Sequence, residues 1–247
     1  MFCTVDTESA FHVCLGPAQE QALEAALVDN GNALLDAFAS IDVRTAKAGP
    51  DDTALIMGAI EQLPGGAAGL NELSMGQMRR WAFAKVTQMV SARRDPETGA
   101  LLQQDKPLKE VGQLAWLLQG MGEVDAARKL YEEVIEGKTA QLGGSHTSTL
   151  TTKNNLASLL SKMGEVDVAR KLYEEVIKGM TAQLGGSHTS TLRSRVNFAI
   201  LLSNTGDVVG SQAMMDELLV IATEHHGSQH PLTQKIAGLV GQLESMM

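Results

Sequence analysis

A 29-residue stretch at positions 122–150 returns almost letter for letter at 164–192, a spacing of 42 residues. Only Ala126/Val168, Glu136/Lys178 and Lys138/Met180 differ between the copies. Self-similarity at a fixed period means stacked copies of one supersecondary unit, because each unit buries its apolar face only against its neighbours. Stepping by 42 shows that the duplication belongs to an array. Gly206 continues Gly122 and Gly164, His230 continues His146 and His188, and residues 205–221 are a worn copy of the second half-unit. In the other direction Leu108 falls in register with Leu150, so residues 107–121 are the half-unit that precedes the first full copy. An array of this kind offers a surface to partners in place of a catalytic pocket.

Each unit reads as two helices. In the first, TLTTKNNLASLLSKM, the apolar residues Leu156, Ala157, Leu159 and Leu160 cluster at helical spacing, with threonines and a serine ahead of them as N-cap candidates. Gly164, like Gly122 and Gly206, ends it in the left-handed conformation that glycine adopts without steric cost. The second helix, EVDVARKLYEEVIKGMTAQL, puts Val166, Ala169, Leu172, Tyr173, Val176 and Ile177 on one stripe. Its polar face carries Glu174, Glu175 and Lys178, with Glu174 and Lys178 in the supportive i,i+4 order.

The pattern N-N-L-A, the glycine that follows, and the alanine and tyrosine beyond it resemble the tetratricopeptide repeat. The 42-residue length exceeds the basic repeat of roughly 34. Together with TKNNLASLL and the G-x-x-H linker it is similar to the repeats of kinesin light chains. The resemblance runs from about residue 107 to the C-terminus. It implies an all-α, right-handed α-solenoid with units at about 107–148, 149–190 and 191–230 and a capping helix at 231–247. The family's small packing residues fall on Ala115, Ala127, Ala157, Ala169 and Ala199. The third unit departs, with Ser211 and Met215 where Ala169 and Tyr173 stand, so looser packing is expected there.

Length and composition agree. The chain has 247 residues, with aromatics at only 4%, as expected where alanine and leucine pack helix on helix. No apolar run approaches the roughly 20 residues of a membrane span. The N-terminus lacks the basic and apolar segments of a secretory signal. Cys3 and Cys14 stand without further cysteines, which points to a reducing, cytoplasmic setting. A formal net charge of -9 argues against a nucleic-acid partner. Charge is unevenly divided, however. The first helices carry Lys109, Lys153, Lys162, Arg193 and Arg195 against Glu110, a net +4, while the second helices total -7. Since the resemblance places first helices on the concave face, a basic groove is expected on an acidic protein.

Carried over from the family, the groove-facing positions are Lys109 and Gln113, Thr151 and Asn155, and Arg193 and Asn197. Trp116, Ser158 and Ile200, then Gly120, Lys162 and Asn204, extend the lining one turn further. Asparagine presents both a donor and an acceptor to a peptide backbone, and Lys and Arg attract carboxylates. The expected ligand is an extended or partly helical peptide with acidic residues. The competing reading is that Asn155 and Asn197 cap neighbouring turns while Lys109, Lys162 and Arg193 are merely solvated.

His146, His188 and His230 recur at the repeat period and cannot converge on a metal; they are expected to close the linker before each first helix. His225 and His226 add no Cys or carboxylate at ligand spacing, so neither a metal nor a cofactor is expected. Tyr131 and Tyr173 read as core residues whose hydroxyls reach the edge. Before the array, residues 1–70 read as three short helices and one strand-like stretch at 10–15, either irregular or the remnant of a larger α/β domain. A longer helix at about 71–93, with Met75, Met78, Ala82, Val86, Met89 and Val90 on one stripe, is expected to cap the array together with a linker to residue 106. Arg79, Arg80, Lys85, Arg93 and Arg94 make its other side basic.

The function these features indicate is a non-enzymatic scaffold or adaptor that recruits a protein or peptide. The alternative is a signalling enzyme fragment with chemistry in the N-terminal segment, yet there is no Gly-rich phosphate loop, no H-E-x-x-H and no G-x-S-x-G. Asp42, Arg44 and Glu61 are too few and too loosely placed to name a reaction. The heptads by which light chains grip a motor are absent. Self-stacking of the array is a third option, and the oligomeric state is left open.

Overall fold

The computed structural model describes residues 18, 21–29, 58, 60–62 and 65–245. The proposed strand at 10–15, both cysteines, Asp42, Arg44 and most of the short N-terminal helices lie outside these residues; positions 21–29 are helical as expected. Two compact units result, one of residues 1–102 with 113–123 and one of 103–112 with 124–247.

In the first unit, helix α1 (Gly66–Ser91) starts earlier than the sequence suggested. Of the expected stripe it buries Met78, Ala82, Val86, Met89 and Val90, with Met75 half-buried. The basic face needs correction. Lys85 is itself buried and pairs with Glu24 at 2.7 Å. Arg93 and Arg94 donate to the carbonyls of Met89 and Gly99 at 2.7 and 3.0 Å. After α1 the chain turns at Asp95, whose Oδ1 accepts from the backbone N–H of Thr98 and Glu97 and from the Thr98 hydroxyl. These bonds, those of Thr98 foremost, hold its carboxyl below the usual carboxylate range. Helix α2 (Asp105–Met121) spans the division between the units.

The second unit continues with α3 (Val124–Leu142), α4 (Thr147–Lys162), α5 (Val166–Leu184), α6 (Thr189–Asn204), α7 (Val208–His226) and α8 (Pro231–Glu244). Each helix packs on the next, and the first helices also touch one another, α4 on α6 and α6 on α8. That contact pattern is an α-solenoid of helix pairs. No strand occurs among the described residues; the one β-bridge joins Arg94 and Leu101. All five alanines named as packing residues are fully buried, which lets facing helices approach closely. Gly137 and Gly179 serve the same end: a Cβ there would lie 2.9 Å from Leu108 Cδ2 and 2.7 Å from Leu150 Cδ1.

The two joints of each unit are closed differently. At the first, the N–H of Glu165 donates to Leu160 O and that of Gly164 to Ser161 O, the Schellman pairing with glycine at φ 82°. Glu123 and Gly122, then Asp207 and Gly206, repeat it. At the second joint the expected Ser/Thr cap is not what forms. The Nδ1 atoms of His146, His188 and His230 accept from the N–H of Ser148, Ser190 and Leu232 at 3.2, 3.1 and 3.2 Å. Thr149 and Thr191 instead donate their hydroxyls to Gly143 O and Gly185 O, pinning the linker. Three residues into the helix, a threonine oxygen lies beyond the first free N–H groups, whereas the histidine stands at the capping position itself. Replacing His188 with alanine is expected to cost about 1 kcal/mol and aspartate to restore it, as a cap should; equal denaturation midpoints for alanine and wild type would contradict this.

The near-identical second helices also differ in one buried place. Of the three substitutions between the copies, Val168 is exposed and Glu136/Lys178 are exposed, but Lys138 and Met180 are both buried. Lys138 Nζ donates to Thr152 Oγ1 at 3.0 Å. Burial nonetheless pushes its ammonium pKa down, against the pull of Asp105.

Candidate functional site: the first-helix face

Stacking α4, α6 and α8 side by side sets residues 42 apart at equivalent places on neighbouring helices. Asn155 and Asn197 are therefore successive rungs. Both are half-buried, so neither is entombed nor fully solvated. Neither caps a turn: the histidines hold the N-cap positions, and no hydrogen bond within the described residues engages either amide.

The remaining candidates divide. Lys162, Arg193 and Asn204 are exposed. Thr151 is exposed too, but its hydroxyl donates to Thr147 O at 2.8 Å. Ser158 is half-buried, near the Tyr173 hydroxyl. Lys109 is exposed on the array's part of α2. Half-buried Gln113 and the 40% exposed Trp116 lie on the part of α2 grouped with the N-terminal unit. The surface describable as one face thus comprises Thr151, Asn155, Ser158, Lys162, Arg193, Asn197 and Asn204. Adding 42 once more supplies two members that the sequence reading stopped short of, Lys235 after Arg193 and Leu239 after Asn197.

Charge counting on sequence overstated the basic character of this face. Lys153 Nζ reaches Glu175 at 2.6 Å and Arg195 reaches Glu217 at 2.8 Å, both carboxylates coming from second helices. Opposite charges close enough to touch cancel at a distance, so these two cations add little to the field. Lys162, Arg193 and Lys235 have no ion-pair partner among the described residues. Glu175, engaged with Lys153, also shows that the anticipated Glu174 to Lys178 pair is not the one the tertiary structure selects.

Tyr131 and Tyr173 are core residues, 0% and 1% exposed. Burial pushes the Tyr173 hydroxyl up to about 12, partly offset by the nearby Ser158 hydroxyl, and pushes Tyr131 higher still. Neither can exchange a proton near neutral pH. Among the described residues no cluster of His, Cys, Asp and Glu is arranged to hold a metal ion. His226 and His230 approach at 5.1 Å between ring centroids, yet His226 Nε2 lies 2.7 Å from Ser187 O and His230 is committed to its cap. No helix among the described residues is long and apolar enough to cross a membrane.

Comparison with known proteins agrees with this architecture. The tetratricopeptide repeat family matches residues 111–182, 148–208 and 191–232. No curated protein matches the chain. Among solved structures, a kinesin light chain-like protein of Podosopora anserina with nearly identical TPR-like repeats superposes with TM-score 0.55 at 23% identity, over 69% of this chain and 79% of that one. A single-substitution form of that protein gives 0.53 at 21%, over 69% and 87%. BtubC (BKLC) from P. vanneervenii gives 0.54 at 18%, over 94% and 88%. At these identities the likeness is one of fold.

Proposed function

We propose, because residues 111–232 match the tetratricopeptide repeat family, whose arrays are protein–protein interaction scaffolds, that the first-helix face holds an extended peptide segment with acidic residues, without catalysing a reaction. The observation that carries this reading is the pair Asn155 and Asn197: adjacent rungs, half-buried, with side-chain amides that bond nothing among the described residues. A peptide in extended conformation offers a backbone N–H and C=O to each such amide in turn. Arg193, Lys162 and Lys235 surround the rungs with cations that favour carboxylates on the guest. The array is short, so affinity is modest once the cost of ordering a flexible guest is met. A reducing, cytoplasmic setting suits such a module.

The test is recovery of bound protein by wild type and by an Asn155→Ala/Asn197→Ala double variant. Removing two bidentate amides is expected to weaken binding roughly thirtyfold, at about 1 kcal/mol per lost rung, and to lower recovery accordingly. Undiminished recovery would remove the groove mechanism. Raising salt should weaken binding as well, since the cations are exposed.

A further inference from the structure

The third unit contains an open cavity of about 210 Å³ between α6, α7 and α8. Ile200, Met215, Leu239 and Leu243 form its apolar walls, with exposed Asn204 and Gln242 at the rim. Ser211 also lines it, but its hydroxyl is spent on Ala199 O at 2.8 Å.

Repeat symmetry explains the hole. Subtracting 42 turns Met215 into Tyr173, Val240 into Phe198 and Ile200 into Ser158. In the second unit the Tyr173 ring is 1% exposed and sits 6.1 Å from the Phe198 ring, with Ser158 near its hydroxyl. In the third unit the slimmer Met215 stands in the cavity wall in place of the tyrosine, and the backbone frame, held by the same caps and Schellman joints, leaves the space beside it open. The vacated space is ring-sized: an apolar cavity of about 150 Å³ is enough to take up benzene. Where Ser158 stands beside the tyrosine, Ile200 takes its place, which makes this wall apolar and favours a phenyl over a phenol; the polar members of the lining with a free side chain among the described residues are Ser203, Asn204 and Gln242.

We propose that this cavity is a binding site for the phenyl ring of a phenylalanine side chain carried by a bound peptide. It adjoins the face described above, since Leu239 continues the rungs Asn155 and Asn197, and Asn204 belongs to both. A guest laid along the face therefore meets two amides and then an apolar socket. The identity of the guest rests on the peptide-binding reading; the ring preference of the cavity does not.

The experiment uses the full chain with labelled methionine and leucine methyls, titrated with N-acetyl-phenylalanine amide, N-acetyl-tyrosine amide and N-acetyl-alanine amide. The phenylalanine probe is expected to shift the Met215, Leu239 and Leu243 methyls saturably, with Kd on the order of 1 mM. The tyrosine probe should bind several-fold more weakly and the alanine probe not measurably. Met215→Tyr, which restores the side chain of the other units, should abolish the shifts; Leu239→Phe, which narrows the mouth, provides a second test. The Asn155→Ala/Asn197→Ala protein should keep full probe binding, so loss of the groove mechanism and loss of the socket are told apart. No saturable shift in wild type, an unchanged response in Met215→Tyr, or methyl shifts that follow protein concentration without any probe, as a second copy in the cavity would give, would each overturn the assignment.

Discussion

Replacing Tyr173 with alanine is expected to destabilise the array by about 3–5 kcal/mol, in the range of a deleted core aromatic. The ring is among the largest fully buried side chains, and it bridges units by packing on Phe198 of the following helix. Phe198 is also the ring over which Arg170 lies, 5.8 Å from its centroid, so the loss strips one side of an aromatic that carries a cation on another. In a linear array each unit is stabilised chiefly by its neighbours, and the second unit is the one through which the others couple. Helical signal followed through denaturation should therefore show an earlier and broader transition, with cooperativity reduced as well as midpoint. Tyr173→Phe, which keeps the ring and drops only the hydroxyl, should cost no more than about 1 kcal/mol. Equal losses for Phe and Ala would show that the hydroxyl, and not the ring, holds the joint.

The second large effect runs the other way. Asn154→Val is expected to stabilise the protein by about 1–3 kcal/mol. Asn154 is 7% exposed and its Oδ1 is buried with no hydrogen-bond partner. No group among the described residues offsets the desolvation cost of that oxygen. One period later the same position is Val196, 1% exposed and part of the core of the third unit with Leu192, Ala199 and Ile236. The two residues have similar helix propensity, so the comparison isolates the buried carbonyl. A rise in denaturation midpoint, with unchanged dependence on denaturant concentration, is the expected outcome. A destabilised variant would mean that the oxygen has a partner in solution, such as a bound water.

Much of this molecule can be read from periodicity. Ala157, Ala169 and Ala199 are buried where the repeat register puts them, and Gly122, Gly164 and Gly206 end helices with positive φ. Those positions are legible because the backbone's needs are local: a left-handed residue wants glycine, and a close helix crossing wants a small side chain. The linker histidines are legible as recurring residues, and their capping role is not, because an imidazole at N-cap competes in appearance with the serines and threonines beside it. The basic side of α1 loses one member for a different reason: Lys85 is buried against Glu24, which only the folded chain brings within reach, while Arg93 and Arg94 bond carbonyls four and five residues away and Arg79 and Arg80 stay exposed.

The candidate face follows the same division. From sequence alone came its rungs, since a 42-residue step must place Asn155 and Asn197 at equivalent points on equivalent helices. Its charge was decided by tertiary pairing, as Lys153 and Arg195 turn toward Glu175 and Glu217 of the second helices. Its cavity too is a tertiary fact: Met215 in place of tyrosine is visible in the sequence, but whether neighbours collapse into the space depends on how rigidly the surrounding helices are held. Identity of type and spacing is written along the chain, whereas which side chains neutralise one another and where volume is left unfilled are settled only when helices distant in sequence come into contact.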